Sequence, residues 1–155
     1  MQQNQHGFTL IELLLVIVII AILAVVVFAA LNPVKRIKDA QDARRATDIE
    51  TILTAVHEYV IDNKGSLPSG MGVALPEVQL GTDTSGCEIS IGGCLASGSS
   101  CLDLSSPLAK YIKSIPYDPA YGTSGKTYYT IAVDSNAIVT VKACGVTTGT
   151  LSQSR

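Results

Sequence analysis

An uninterrupted apolar run dominates the first third of the chain. Every residue from Leu13 to Leu31 is apolar, and Phe8, Leu10 and Ile11 lie just ahead of the run. A helix of this length spans roughly 28 Å, close to the roughly 30 Å of a bilayer's hydrocarbon core. Because backbone groups in lipid must hydrogen-bond to one another, the run predicts a membrane-spanning helix.

Two other interpretations of this run are weaker. A buried core helix of this length would normally show a polar face, and the run has none. A secretory signal that is cut off begins with a positively charged segment, but residues 1–7 contain no Lys or Arg. We therefore expect the run to stay in the protein as an anchor.

Helical periodicity continues beyond the run in amphipathic form. The apolar positions at helical spacing are Ile49, Ile52, Leu53, Val56, Tyr59 and Val60. The polar positions that fall on other faces are Asp48, Glu50, Thr51, Glu58 and Asp62. Gly65 and Pro68 then provide a stop signal. We expect one helix from Thr9 to Asn63, about 80 Å long, with a kink near Asn32-Pro33.

The rest of the chain predicts a small β-rich domain, called the head below. Residues 65–107 are rich in Gly and Ser, which is typical of loops. Two β-rich runs, Tyr128–Val133 and Ala137–Ala143, flank the turn residues 134–136 and predict a hairpin. Residues 106–112 predict a short helix that Ser106 would cap.

The simplest architecture for these elements has two layers. A sheet of three or four strands would pack on the helix face that carries Ile52, Val56 and Tyr59. This arrangement makes the fold α+β. His57, on the same helix, is expected to be an ordinary side chain at the edge of that interface.

Composition narrows the choice of function. The chain has 155 residues and a formal net charge of -2, which argues against a generally basic nucleic-acid binder. Its only histidines are His6 and His57, so a histidine-based zinc or catalytic centre has little to be built from. No G-x-S-x-G, H-E-x-x-H or phosphate-binding loop occurs. We expect no enzyme activity, no metal and no cofactor.

The four cysteines predict two disulfides in an exported head. They are Cys87, Cys94, Cys101 and Cys144. No C-x-x-C or Cys/His pattern suggests zinc, and a loop-rich domain outside the cytoplasm is where disulfides form. Four cysteines allow three pairings, of which we favour Cys87 with Cys94 and Cys101 with Cys144.

The charges around the apolar run predict the opposite of an exported head. The cations that follow the run are Lys35, Arg36, Lys38, Arg44 and Arg45. The positive-inside rule, applied alone, would place the C-terminal side in the cytoplasm. The cysteines place it outside, and we give them more weight. The mixed charges of residues 35–50 either form a solvated face or make contacts between subunits.

One carboxylate lies at the start of the apolar run. Glu12 is the only charged residue before Lys35, and its neighbours form the string Gly7-Phe8-Thr9-Leu10-Ile11-Glu12-Leu13-Leu14. This string resembles the class III signal of type IV pilins and type II secretion pseudopilins. The resemblance implies cleavage between Gly7 and Phe8 by a prepilin peptidase, followed by N-methylation of Phe8. It also implies that Glu12 neutralises the terminal amine of a neighbouring subunit. A helix places positions 8 and 12 on one face, so pairing within the chain stays open as an alternative.

The resemblance implies a type IV pilin-like fold with four parts. They are a leader peptide over residues 1–7, a transmembrane and filament-core helix over 8–33, an amphipathic helix over 34–63 and a disulfide-stapled β-rich head over 64–155. Two features depart from the family pattern: the leader lacks a basic residue, and the first proline is Pro33, at the end of the apolar run.

The function implied is that of a structural subunit of a type IV pilus, held in a helical filament by its N-terminal helix. Partners would be further copies, the prepilin peptidase, and an inner-membrane assembly platform with its motor, but no specific nucleic acid. Before assembly the chain would cross the cytoplasmic membrane once, with its N-terminus in the cytoplasm. It would later lie in an extracellular pilus or a periplasmic pseudopilus. The alternatives are a pseudopilin of type II secretion and, from another class, a membrane-anchored extracytoplasmic enzyme.

A second, weaker resemblance involves the segment Ser114–Pro119 and the glycines and tyrosines after it. It is similar to the heads of major pseudopilins, some of which bind calcium. Asp118 and Asp134 could then offer oxygen ligands. Calcium takes about six to eight oxygens, so the favoured interpretation is that Asp118 shapes a Pro-rich turn.

Overall fold

A computed structural model describes residues 7–147 and 149–155. The helices are α1 (Leu10–Leu31) and α2 (Pro33–Asp62), and the strands are β1 (Val78–Gln79), β2 (Tyr129–Val133), β3 (Val139–Ala143) and β4 (Leu151–Ser154). By their internal contacts the residues divide into two compact units, Met1–Lys38 and Asp39–Arg155. The second unit contains most of α2 and all four strands.

From Leu13 to Leu31 helix α1 is apolar on every side, and none of the residues of α1 is buried. Within residues 7–147 and 149–155, it is part of the one helical stretch, Leu10–Asp62, that is long and apolar enough to cross a membrane. Asn32 adopts the left-handed conformation, with φ 39° and ψ 71°, and ends the helix. Its backbone oxygen also accepts from the N–H of Lys35 at 3.1 Å and of Arg36 at 3.3 Å. The predicted interruption at Asn32-Pro33 is therefore present.

The head has the predicted two-layer α+β architecture. Its four strands form an antiparallel sheet in the order β1-β2-β3-β4. The predicted hairpin is confirmed, with Tyr129 paired to Ala143 and Val133 to Val139. Strand β4, which the sequence analysis did not identify, pairs with β3 from Ala143–Leu151 to Thr140–Ser154.

The core of the head lies between α2 and the sheet. The buried apolar residues of α2 are Ile49, Ile52, Leu53, Ala55 and Val56, which confirms most of the predicted face. Tyr59 and Val60 are partly buried against the same core. Sheet residues reach the core at alternate positions, as the pleat requires, from Tyr129, Ile131 and Val133 on β2 and from Val139, Val141 and Ala143 on β3.

The predicted helix over residues 106–112 is not formed. The segment is a succession of turns, in which Leu108 N–H donates to Leu104 O at 3.1 Å and Ala109 N–H to Ser106 O at 3.3 Å. The carboxylate of Asp103, rather than Ser106, caps this segment by accepting from the N–H and hydroxyl of Ser105. Packing of the fully buried Leu104 and Leu108 fixes the chain in these turns, which overrides the local preference for helix.

Candidate functional site

The segment that carries the predicted cleavage site is exposed. Gly7 and Phe8 lie outside any helix or strand, and the Phe8 side chain is 82% exposed. Thr9 is extended, with φ -79° and ψ 151°, and is the N-cap of α1. The Gly7–Phe8 bond therefore lies in a non-helical backbone directly before the helix, in the form that a peptidase can reach.

Glu12 is fixed by a capping box at the start of α1. The Thr9 hydroxyl oxygen accepts from Glu12 N–H at 3.3 Å. In return, Glu12 Oε2 accepts from the N–H of Thr9 at 2.9 Å and from its hydroxyl at 2.8 Å. These bonds all use Oε2, and within the described residues Oε1 makes none. One carboxylate oxygen thus sets the position of the side chain while the other stays available to a partner outside the chain.

The apolar surface of α1 has no cover within its own chain. Its large side chains are about half or more exposed, from Leu31 at 45% to Leu10 at 84%. An uncovered apolar patch of this size in water would be a strong site for association. The helix therefore requires an apolar environment from outside its own chain.

A buried ion pair joins α2 to the Pro-rich turn of the head. Arg45 is 1% exposed and binds Asp118 in a bidentate manner, with Nε to Oδ2 at 2.6 Å and Nη2 to Oδ1 at 3.0 Å. Its Nη1 donates to Asp42 at 2.7 Å. Oδ1 of Asp118 also accepts from the N–H groups of Ala120 and Tyr121, at 2.8 Å and 2.9 Å. Every charge of this cluster is thus paired.

The pKa values of the pair follow from these contacts. Burial alone would raise the pKa of Asp118, but the hydrogen bonds from Arg45 and from two backbone N–H groups outweigh it and lower that pKa. The hydrogen bond to Asp118 raises the pKa of Arg45 despite burial. Both groups therefore stay charged at neutral pH. Of the two interpretations of Asp118, the turn is the one observed, since Arg45 and backbone N–H groups occupy its carboxylate.

The backbone packs closely against this pair at Gly145. A Cβ added there would lie 2.2 Å from Asp118 Oδ2 and 3.0 Å from Arg45 Nη2. Only glycine leaves room for the guanidinium and the carboxylate at this position. The mixed charges of residues 35–50 are predicted to form a solvated face or a subunit contact. Arg45 belongs to neither, because it lies inside the head.

A second polar cluster lies beneath the cysteine-rich loop, defined here as residues 87–101. Glu77 Oε2 accepts from Lys142 Nζ at 2.7 Å, and its Oε1 accepts from the Thr130 hydroxyl at 2.7 Å and the Leu95 N–H at 3.1 Å. Burial raises the pKa of Glu77, but the bond from Lys142 and the two others outweigh this and lower it. This carboxylate connects β2 and β3 to the loop.

Two disulfides are present, with a pairing different from the favoured one. Cys87 bonds to Cys101, and Cys94 bonds to Cys144. The reason is the shape of the cysteine-rich loop, which folds back on itself through mutual backbone bonds between Ile89 and Ala96. Cys87 and Cys101 thereby meet at its base, with Cα atoms 5.3 Å apart, and Cys94 lies at its tip.

The tip of the loop reaches the end of β3. Gly92 has φ +58°, and a Cβ there would lie 2.1 Å from the Cys144 carbonyl oxygen. This close approach brings Cys94 to Cys144, with Cα atoms 5.5 Å apart. The even spacing of the first three cysteines indicates a loop with one cysteine at its tip and two at its base. Spacing alone does not show which part of the chain the tip contacts.

The remaining candidate residues have local roles. Asp134 Oδ1 accepts from the N–H groups of Asn136 and Ile138, both at 2.8 Å, and so closes the β2–β3 turn. His57 Nε2 lies 3.2 Å from the Arg155 carbonyl oxygen at the edge of the core. Across residues 7–147 and 149–155, no three His, Cys, Asp or Glu side chains are grouped so as to hold a metal ion.

Comparison with known proteins identifies the N-terminal segment. Residues 2–28 match the family model described as the prokaryotic N-terminal methylation motif. The match covers the predicted cleavage site, Glu12 and most of α1. No curated protein and no solved structure matches the chain. The motif is that of the class III prepilin signal, which confirms the resemblance to type IV pilins and pseudopilins and supports membrane anchoring before assembly.

Proposed function

We propose that this chain is a structural subunit of a type IV pilus. The observation that carries the proposal is the methylation motif at residues 2–28, which continues into a helix with no buried residue. A motif of this kind points to a structural protein rather than an enzyme. The uncovered helix supplies the surface that a filament core would need.

In the proposed mechanism a prepilin peptidase cuts between Gly7 and Phe8. The cut creates a cationic amine at Phe8, four residues before Glu12, and the amine is then methylated. An amine and a carboxylate attract strongly in a medium of low dielectric constant, whereas either alone is costly to bury. Because Thr9 occupies only Oε2, Oε1 of Glu12 can accept from the amine of a neighbouring copy.

Assembly would transfer α1 from lipid into a bundle of α1 helices from other copies. Lipid tails are as apolar as the helix, so burial of apolar surface alone does not favour the bundle. Close packing and the amine–carboxylate pair would favour the bundle over the bilayer. Work would come from a separate motor, since the sequence contains no phosphate-binding loop.

The proposed orientation has the N-terminus in the cytoplasm and the head outside. The two disulfides support it, because an oxidising compartment is where such bonds persist. The three cations at residues 35–38 oppose it under the positive-inside rule. The signal motif would explain the exception if the motif rather than loop charge directs insertion.

The deciding experiment is the intact mass and N-terminal sequence of the protein from cells that carry its native machinery. We expect a chain that begins at Phe8, is one methyl group heavier than the cut sequence and lacks the four thiol hydrogens of two disulfides. A chain that still begins at Met1 would contradict the proposed processing.

A pseudopilin of type II secretion would show the same processed N-terminus. Deletion of the gene separates the two functions. We expect surface filaments to be lost while protein secretion continues. Loss of secretion with no change in surface filaments would identify the pseudopilin.

A further inference from the structure

The charges of α2 fall into two groups, those with partners in the chain and those without. Asp42, Arg44, Arg45, Asp48 and Asp62 all take part in ion pairs of the head or of α2 itself. Among the described residues, no ion pair involves Lys35, Arg36, Lys38, Asp39, Glu50 or Glu58. Apart from Asp39, the charges without partners are separated by sign, since three cations lie at the start of α2 and two glutamates lie further along.

The three cations form what we call the basic cluster: Lys35, Arg36 and Lys38. All three side chains are exposed. Arg36 Nε donates to the Leu31 carbonyl oxygen at 3.1 Å, which anchors the base of its guanidinium and leaves both terminal nitrogens without a described partner. Asp39 follows, but the cluster keeps an excess of positive charge.

The two glutamates line an open groove on α2, which we call the acidic groove. The groove has a volume of about 350 Å³, and Glu50, Thr54, Glu58 and Tyr111 are among its lining residues. Positions 50, 54 and 58 are successive i, i+4 neighbours, so they form one row along the helix. Because two carboxylates lie in this row with no cation of the chain bound to them, the groove is suited to a cationic partner.

Two threonine hydroxyls that line the acidic groove, those of Thr47 and Thr51, are hydrogen-bonded to the helix backbone. The Thr51 hydroxyl donates to Thr47 O at 2.8 Å, and the Thr47 hydroxyl donates to Ala43 O at 3.3 Å. These bonds turn the hydroxyls toward the helix backbone, so a partner can approach closely without leaving them unpaired. Arg155 lines an adjoining cavity with Glu50, yet no ion pair joins the two.

We propose that the acidic groove of one copy binds the basic cluster of a second copy, which would set how neighbouring subunits are positioned in the filament. This proposal rests on the proposed function, because it requires copies packed side by side. The partner is a second copy because the chain itself carries the complementary charge, three cations against two carboxylates. Anionic lipid could bind the basic cluster but would leave the acidic groove without a partner.

The test is a charge exchange in the full-length protein, expressed with its native machinery. One variant reverses the cluster, K35E/R36E/K38E, a second reverses the groove, E50K/E58K, and a third combines both sets. A matched control, E88K, reverses an exposed glutamate of the head that has no described ion pair. Sheared filament yield is measured at low and high salt, together with the amount of processed, membrane-inserted subunit.

We expect K35E/R36E/K38E and E50K/E58K each to lower filament yield about tenfold. This factor corresponds to the loss of two surface ion pairs of about 0.7 kcal/mol each. The combined variant should regain yield, and the control should match the wild type. High salt should lower the wild-type yield and remove part of the difference.

The outcomes separate this proposal from its premise. If the wild type forms no filaments at all, the proposed function fails. If the wild type forms filaments but the reversals have no effect, the docking proposal fails and the proposed function stands. If the cluster reversal alone lowers yield, with reduced membrane insertion and no recovery in the combined variant, the cluster binds lipid and the docking proposal is wrong.

A photo-crosslinking arm gives a direct readout. With p-benzoylphenylalanine at the exposed position Thr54, illumination of filaments should produce dimers whose crosslinked peptide comes from residues 33–44. The same group at Ser135, on the β2–β3 turn, serves as the matched control. Dimers from position 54 that lack the 33–44 peptide would overturn the proposal even if charge reversal reduced yield.

Discussion

At the scale of single residues, Asp118 joins two parts of the head through a buried ion pair with Arg45. Its carboxylate is fully buried and receives two bonds from Arg45 and two from backbone N–H groups. Breaking a buried pair by removing one partner is costly, because the other charge is left without compensation. The side chain therefore couples α2 to the Pro-rich turn.

Asp118→Ala should lower the free energy of unfolding by about 3–5 kcal/mol. Denaturation of the full-length chain in detergent, followed by near-ultraviolet circular dichroism of its six tyrosines, is the measurement. All of them lie in the unit Asp39–Arg155, so the signal reports on the head. Glu88→Gln, an exposed carboxylate, should change stability by less than about 0.5 kcal/mol. Equal effects of the two substitutions would contradict the role of the pair.

The same pair makes stability depend on pH. The pKa of Asp118 is lower in the folded head than in the unfolded chain, and that of Glu77 is also lowered. Both groups therefore stabilise the head fully above their unfolded pKa values of about 4, and this contribution is lost as the pH falls through the lower folded values. In Asp118→Asn the unfolding free energy, measured between about pH 6 and pH 2, should fall less with acid than in the wild type.

Substitution of Gly145 tests how closely the backbone packs on the Arg45–Asp118 pair, without changing any charge. Gly145→Ala places a Cβ 2.2 Å from Asp118 Oδ2, so the pair must shift, at a cost of about 1–3 kcal/mol. Gly72→Ala is the control, because no atom lies within 4 Å of a Cβ at that position. Thermal unfolding of both variants should show a clear loss of Tm for the first only.

At the scale of elements, the disulfides differ in the length of chain that they close. Cys87–Cys101 closes a separation of 14 residues and Cys94–Cys144 one of 50. Cross-links restrict the unfolded chain more when they close longer loops. The second disulfide also joins the cysteine-rich loop to the end of β3, so it contributes to the position of the loop as well as to stability.

Removal of the disulfides one at a time should therefore give unequal effects. C94A/C144A should destabilise the head by about 1 kcal/mol more than C87A/C101A, the difference expected from loop closure alone. Chemical denaturation of the two variants under oxidising conditions is the measurement. A larger loss from C87A/C101A would show that local strain or packing, rather than loop length, sets the contribution of each bond.

The elements recognised from sequence are those with a long or regular pattern. Helix α2 and the β2–β3 hairpin show clear periodicity, and the cleavage motif is a contiguous string. Strand β4 is mostly polar and lies at one edge of the sheet, so its sequence shows little hydrophobic alternation. The Arg45–Asp118 pair connects residues 73 positions apart, and no local pattern shows that a mid-helix arginine is buried.

At the scale of the whole molecule, membrane anchoring and the folded head are assigned to different parts of the chain. None of the α1 residues is buried, whereas residues 49–56 of α2 supply one side of the head's core. The unit that contains the whole core begins at Asp39. A fragment that spans residues 39–155 therefore retains both layers of the head.

A comparison of two fragments of different length tests this division. The fragment 39–155 should be a soluble monomer in size-exclusion chromatography and keep the near-ultraviolet signal of the buried Tyr129. The fragment 64–155 lacks Ile49, Ile52 and Val56, all of them fully buried, and should be unfolded or aggregated. Cooperative unfolding of the shorter fragment would show that the sheet does not need α2.

The large sequence separation of Arg45 and Asp118 also affects when the head can fold during synthesis. Ribosomes make α2 early, but Arg45 has only Asp42 as a partner until Asp118, 73 residues later, has been made. Strands β2 and β3, which cover the other side of the core, come later still. Folding with such distant contacts is slow, because long loops must close before any contact stabilises them. In the proposed orientation, we therefore expect the head to cross the membrane unfolded and to fold in one late step, after its hairpin has emerged.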